Sequence, residues 1–429
     1  MEAVYKTSRE IIVTVTFLIM INFLLEDELV RGFSVFFMGM WYALISYQYQ
    51  RLYKIISPGY LYITFNMVLV YIVLASLITE EEINELNASG LYGWWTNDYY
   101  WLYFSCIAIS FFLITIYLCI AKTRTYFAVN KINDVNVKDV MFGITLLIAM
   151  YVFSGFDNDV IYPIVIFSIV QAVWLKKYIY ILLLGFVLIL DGGKLILSRY
   201  NLIQVILPLL LVFIYKHKQV KVSNGKRYLY FFMFIFIVGV YGTVSEIIKL
   251  NGLGMEYSLI DVLFSIDESF GFFTKQFYRV FAIWIKLGGY IIYHVDNNGF
   301  FYGLSFIKGV SSFFGVDYIS IPELGAIYDK AVYAQTGSLV EGYANFGIVG
   351  AVVYMMIIFG FMEKMLRNLV CNNNVENLMC LTIPFTKILL DGGSLYSAIF
   401  IWLCCKVIFI GRKIEHYIMM GKRSNYAKW

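Results

Sequence analysis

Apolar runs of about 17 residues or more recur along the whole chain, separated by short polar breaks. Each is long enough to cross a hydrocarbon core of about 30 Å as a helix. Dividing the chain at its polar breaks predicts about twelve spans: 10–25, 32–48, 60–78, 101–121, 139–155, 160–175, 178–190, 200–215, 228–248, 338–360, 378–390 and 395–411. The range runs from 10 to 13, because 178–190 is short and 378–390 with 395–411 also fit a re-entrant pair. The first run lacks a small-residue cleavage site and is expected to be a retained anchor. One polar interval stands apart from the rest, a loop from about Lys249 to Thr336 between the ninth and tenth spans.

Inside that loop the period changes. From Asp261 to Tyr293 the aromatics Phe270, Phe273, Phe277, Phe281 and Trp284 recur every three or four residues, predicting an amphipathic helix. Lys275, Arg279 and Lys286 interrupt the stripe, so the helix can lie in the membrane interface with cations toward phosphate. The stretches His294–Gly303 and Val316–Gly325 are turn-rich and are expected to be irregular. The expected fold is an all-α integral membrane protein with one large periplasmic loop containing amphipathic helices. Its parts are 1–248 (spans one to nine), 249–337 (the loop) and 338–429 (spans ten to twelve and a cytoplasmic tail).

Charge orients the array. With the N-terminus inside, 23 of the 33 lysines and arginines fall on inner segments, while acidic clusters such as Thr79–Leu86 fall outside. The positive-inside rule then puts both termini in the cytoplasm. The net charge of +4 reflects this asymmetry and gives no reason to expect a nucleic-acid partner. With 61% hydrophobic residues, 14% charged and mean hydropathy +0.74, a soluble enzyme is excluded as an expectation. Cys106, Cys119, Cys380, Cys404 and Cys405 lie within spans and Cys371 in an inner loop, so no outer disulfide framework is expected. Neither these cysteines nor the three histidines have metal-ligand spacing, and no GxxxxGK[ST] phosphate loop occurs. No metal, nucleotide or other cofactor is expected.

Four outer-face features carry candidate chemistry. In DGGKLILSRYN (Asp191–Asn201), Lys194 and Arg199 put two cations at the membrane surface, and an arginine fork suits a diphosphate. Snorkelling toward headgroups is the alternative for Arg199. Arg279 and Lys286 can complete a phosphate clamp. In GSLVEGYANFGIVG (Gly337–Gly350), Glu341, Tyr343 and Asn345 occupy the first turns of the tenth span, with Glu341 and Asn345 on one helical face. A carboxylate beside two neutral hydrogen-bonding groups can orient a hydroxyl or act as a base; a structural cap with an interfacial tyrosine is the alternative. Gly342, Gly347 and Gly350 suit close helix packing. LLDGGSLYS (Leu389–Ser397) repeats the DGG turn, with Lys387 just before it and Asp391 equally structural or functional. His294 is the outer-face histidine, a second candidate base.

The layout resembles the O-antigen polymerase (Wzy) family, the oligosaccharide repeat-unit polymerases of bacterial surface polysaccharides. The resemblance rests on about twelve spans, the dominant late loop, the DGGKLILSR turn and the TGSLVEGYANFGIVG loop exit. Two departures stand. The family's arginine-to-glycine repeat is absent in strict form, Gly289 falling one position short after Arg279, and the last hairpin offers Lys387 and Asp391 in place of an arginine. The resemblance implies a metal-independent glycosyltransferase of the bacterial inner membrane, active on the periplasmic face. A glycan would pass from undecaprenyl diphosphate to an acceptor sugar hydroxyl, beside a polysaccharide chain-length regulator as partner. Arg199, Arg279 and Glu341 would be catalytic, and Lys194, Lys286, Tyr343, Asn345 and His294 would bind substrate. The alternatives are an O-antigen ligase or other lipid-linked-sugar transferase, and a polysaccharide flippase.

Overall fold

A computed structural model describes residues 45, 58–59, 61–64, 66, 97–120, 137–154, 161–175, 177, 179–180, 182, 204–205, 207–209, 211–212, 288–303, 337–372, 374–390 and 395–426. Apart from short turns these residues are helical. The longer helices are α1 (Asn97–Ile120), α2 (Val137–Ser154), α3 (Ile161–Trp174), α4 (288–298), α5 (Ser338–Cys371), α6 (Val375–Leu390) and α7 (Leu395–Tyr426). Six of them, α1, α2, α3, α5, α6 and α7, begin within about four residues of the apolar runs expected from sequence. The chain divides into two compact units, one made of Met1–Thr125 with Val222–Gly360, the other of Tyr126–Lys221 with Phe361–Trp429.

In the second unit α2 packs on α3, and α6 on α7. Phe167 of α3 meets Phe409 of α7 edge to face at 5.3 Å. Carboxylates near the helix starts find cations on α7. Arg412 Nε donates to Asp139 Oδ1 at 2.8 Å, with both side chains largely buried. Glu376 accepts from Lys406 at 2.6 Å and from Lys413 at 3.2 Å. The helix α7 also carries an outward stripe of Leu403, Val407, Ile410 and Ile414, all exposed and apolar. Its last 15 residues lie beyond the run 395–411, because a helix can continue through an amphipathic sequence that no longer reads as a span.

In the first unit α1 buries Phe104, Ile107, Phe111 and Ile114, and Tyr117 stands edge-on to Phe359 of α5. The hydroxyls of Tyr62 and Ser338 hydrogen-bond at the start of α5. The helix α4 departs from expectation, running on through 294–298 where an irregular stretch is predicted. The reason is a set of side-chain and turn bonds at its end. Asn297 and Asn298 amides donate to the carbonyls of Tyr293 and His294, and Gly299, at φ +95°, donates to Val295.

The larger departure is in α5. Among the described residues it is the one helix long and apolar enough to cross a membrane, yet it is not one straight rod. Phe346 (φ −145°, ψ 23°) and Gly347 (φ 64°, ψ −150°) leave helical geometry in its interior. The Gly347 conformation is one that side chains with a Cβ avoid. Beyond the break the 24 residues 348–371 rise about 36 Å. Before it, the short arm 338–346 folds back on that rod. In a straight helix Glu341 and Tyr354 would be separated by about 20 Å of rise. Instead Tyr354 Oη donates to Glu341 Oε2 at 2.9 Å. The doubled-back arm approaches so closely that a Cβ on Gly342 would sit 2.6 Å from the Gly350 carbonyl oxygen. Of the glycines expected to serve packing between helices, Gly342 and Gly350 thus pack the two arms of one helix, while Gly347 forms the break.

Candidate functional site

A break in a helix frees backbone carbonyls that must bond elsewhere. Here the turn after α4 supplies the donors. Phe301 N–H donates to the Ala344 carbonyl at 2.9 Å and Tyr302 N–H to the Asn345 carbonyl at 3.1 Å. Gly303 N–H donates to Asn345 Oδ1 at 2.9 Å, while the Asn345 amide donates back to the Glu341 carbonyl at 2.8 Å. Asn345 therefore ties three strands of chain together: its own arm, the break, and the turn 299–303. It is fully buried.

Side chains add a second layer. Tyr343 Oη donates to Asp296 Oδ1 at 2.8 Å. The Phe300 ring stands edge-on to Tyr343 at 6.0 Å and to Tyr302 at 6.3 Å. Tyr302 holds φ +50°, an uncommon conformation for a residue with a Cβ, and the residue is 71% exposed. The three backbone bonds around it are what fix that geometry. The result is a surface that carries an exposed aromatic residue, Tyr302, and an exposed carboxylate, Asp296.

The residues expected from sequence fall into three groups. Glu341, Tyr343 and Asn345 all lie in the arm before the break, with Glu341 and Asn345 on one face as their spacing predicts, although Glu341 is buried against Tyr354. His294 lies on α4, with Nδ1 3.3 Å from Tyr290 Oη and 3.2 Å from Asn298 Nδ2, so that nitrogen is engaged within its own helix. Arg199, Arg279, Lys194 and Lys286 lie outside the described residues, as does Asp391; Lys387 is buried in α6.

Residues 2–419 match the family of unknown function DUF6032, which takes in nearly the whole chain. The chain belongs to DUF6032. No curated protein and no solved structure matches it.

Three residues of this DUF6032 chain escape the sequence reading: Asp296, Tyr302 and Tyr354. Asp296 sits in a polar stretch read as irregular, and its partner Tyr343 is 47 positions away. The available signal was the run of Asp and Asn before Gly299, which marks a helix end. Tyr354 reads as one more apolar position of a span, and nothing local marks it as a carboxylate's partner.

Proposed function

We propose that this DUF6032 chain is a membrane-embedded glycosyltransferase that polymerises lipid-linked oligosaccharide repeat units into a surface polysaccharide such as O-antigen. The glycan leaves undecaprenyl diphosphate on the periplasmic face of the inner membrane and joins an acceptor sugar hydroxyl. Arg199 and Arg279, with Lys194 and Lys286, meet the diphosphate as its charge develops, a role for fixed cations rather than for a proton donor. Glu341, Tyr343, Asn345 and His294 belong to the acceptor side.

The observation that carries this reading is the broken α5 with a loop turn bonded into it. Irregular backbone beside a span is tolerated where protein buries it or where it lines a polar cavity, and such breaks hold polar groups at substrate sites of membrane proteins. Two further features support a membrane setting. Exposed apolar stripes on α2, α5 and α7, such as Val349, Val353 and Ile357, suit lipid better than water. The Asp139–Arg412 pair joins residues at the ends of two expected runs, 139–155 and 395–411, that the charge pattern assigns to the same inner side.

Deleting the gene from its host and examining the surface glycan tests the proposal. Lipid A–core capped with a single repeat unit is the expected outcome. Naked core beside accumulated lipid-linked polymer would make the chain a ligase, and naked core with unpolymerised lipid-linked units held inside would make it a flippase. Complementation with Arg199→Ala or Arg279→Ala is expected to leave short or absent polymer. Full-length polymer from both would remove the diphosphate clamp.

A further inference from the structure

Two carboxylates flank the α5 break, and their surroundings differ. Glu341 is buried and accepts the Tyr354 hydroxyl, so it is placed to hold the two arms of α5 together. Asp296 is exposed, on the last turn of α4, with one oxygen fixed by the Tyr343 hydroxyl at 2.8 Å. Tyr343 is itself buried, in the arm that the break positions. Phe300 packs on the Tyr343 ring, and the exposed Tyr302 ring stands beside Phe300. A carboxylate and an exposed aromatic ring, joined through Tyr343 and Phe300, are groups suited to a pyranose. The ring covers the C–H face of the sugar by stacking, and the carboxylate accepts from a hydroxyl.

We infer that Asp296 is the catalytic residue that receives the proton of the acceptor sugar's hydroxyl, with Tyr343 as its positioning residue and Tyr302 as the platform for that sugar. The inference rests on the glycosyltransferase reading above and names the acceptor side of that site. In the step, the hydroxyl proton passes to the free Asp296 oxygen, Oδ2. The hydroxyl oxygen's electron pair forms the new bond to the donor's anomeric carbon. The bond from that carbon to the diphosphate oxygen breaks, and undecaprenyl diphosphate leaves with its electrons. The proton on Asp296 then returns to solvent, and no other reactant is needed. A carboxylate fixed by a neutral hydroxyl suits this work, because the donor sets its direction without cancelling its charge.

The experiment uses the full-length protein in membranes of a gene-deletion host, supplied with the lipid-linked repeat units extracted from that host. Asp296→Asn, Asp296→Glu and Tyr343→Phe are compared with wild type for kcat and KM, at matched protein levels. Asp296→Asn is expected to lower kcat by about 100-fold or more, in the range for a lost general base, and Asp296→Glu to recover part of it. Tyr343→Phe keeps the carboxylate but frees it, and is expected to lower kcat about tenfold with KM little changed, the worth of a hydrogen bond to a charged group. Wild-type kcat in Asp296→Asn overturns the inference, as does a change confined to KM. If Asp296→Asn does not accumulate, Tyr343→Phe decides: full kcat there overturns the inference equally. A deletion host that still makes full-length polymer removes the parent reading instead, whereas a deletion host lacking polymer beside a fully active Asp296→Asn removes only the role of Asp296.

Discussion

Four described carboxylates, two in each unit, are held by different kinds of partner. At the α5 break, Asp296 takes a hydroxyl from Tyr343, and Glu341 one from Tyr354. In the second unit, Asp139 takes the Arg412 guanidinium, and Glu376 the ammonium groups of Lys406 and Lys413. A cation neutralises the carboxylate and fastens two helices, so such a pair serves the fold. A hydroxyl directs the carboxylate and leaves its charge for another task. Asp139 and Glu376 are thus fasteners, Glu341 clasps the two arms of α5, and the exposed Asp296 is the candidate working group.

The largest effect should come from breaking a buried fastener. Arg412→Met leaves Asp139 charged in a nearly dry site and should destabilise the protein by about 3 kcal/mol or more, whereas Asp139→Asn with Arg412→Met should recover much of that loss. Thermal unfolding of the detergent-purified protein reads both, and polymer made per folded molecule should be unchanged. If activity per molecule falls with the single variant, the division of roles between the units is wrong.

Next comes the backbone of the break. Gly347→Ala forces a Cβ into a conformation open mainly to glycine and should cost about 1–3 kcal/mol. It should also abolish polymer even where protein accumulates, because the arm carrying Glu341, Tyr343 and Asn345 is re-aimed. Unaltered polymer would separate the break from the site.

A smaller effect is expected with acid. Burial works to raise the Glu376 carboxyl, but its bonds and attraction to Lys406 and Lys413 prevail, and it is held below its ordinary value. Its contribution to stability is therefore complete above the ordinary carboxylate range and is lost as pH falls through the lowered folded value. A melting-temperature series from pH 6 downward should show a decline that Glu376→Gln lacks. A parallel decline in both proteins would mean that the three-charge cluster is not tuned as described. The smallest effect belongs to Lys413→Ala. Its side chain is 71% exposed, so the loss should be at most about 1 kcal/mol and should vanish in high salt.

Most of the described helices were legible because hydropathy marks where an apolar run starts and stops. The helices α2 and α3 lie within about two residues of the runs at 139–155 and 160–175. The pairing of Glu341 with Asn345 was also legible, since i and i+4 share a face whatever surrounds the helix. The break was not. A hydropathy window reads Phe346 and Gly347 as two more residues of a span, and the glycine pattern fits packing against a neighbour as well as a fold-back. Asp296 was hidden for a different reason. Its meaning comes from Tyr343, and a pair 47 positions apart leaves no local period. The end of α4 was misplaced because side-chain amides of Asn297 and Asn298, rather than an apolar face, carry the helix through its last turn.

The bonds from Phe301 and Tyr302 to the α5 carbonyls also bear on the order of assembly. A chain is synthesised from its N-terminus, so the turn at 299–303 leaves the ribosome before the segment whose open carbonyls it will meet. The short arm of α5 then arrives to find its template already made. A circular permutation that opened the chain between 303 and 337 and placed the turn last would keep both of these bonding partners and reverse the order in which they are made. Any defect confined to yield, with normal activity in the molecules that mature, would measure what the native order contributes to biogenesis.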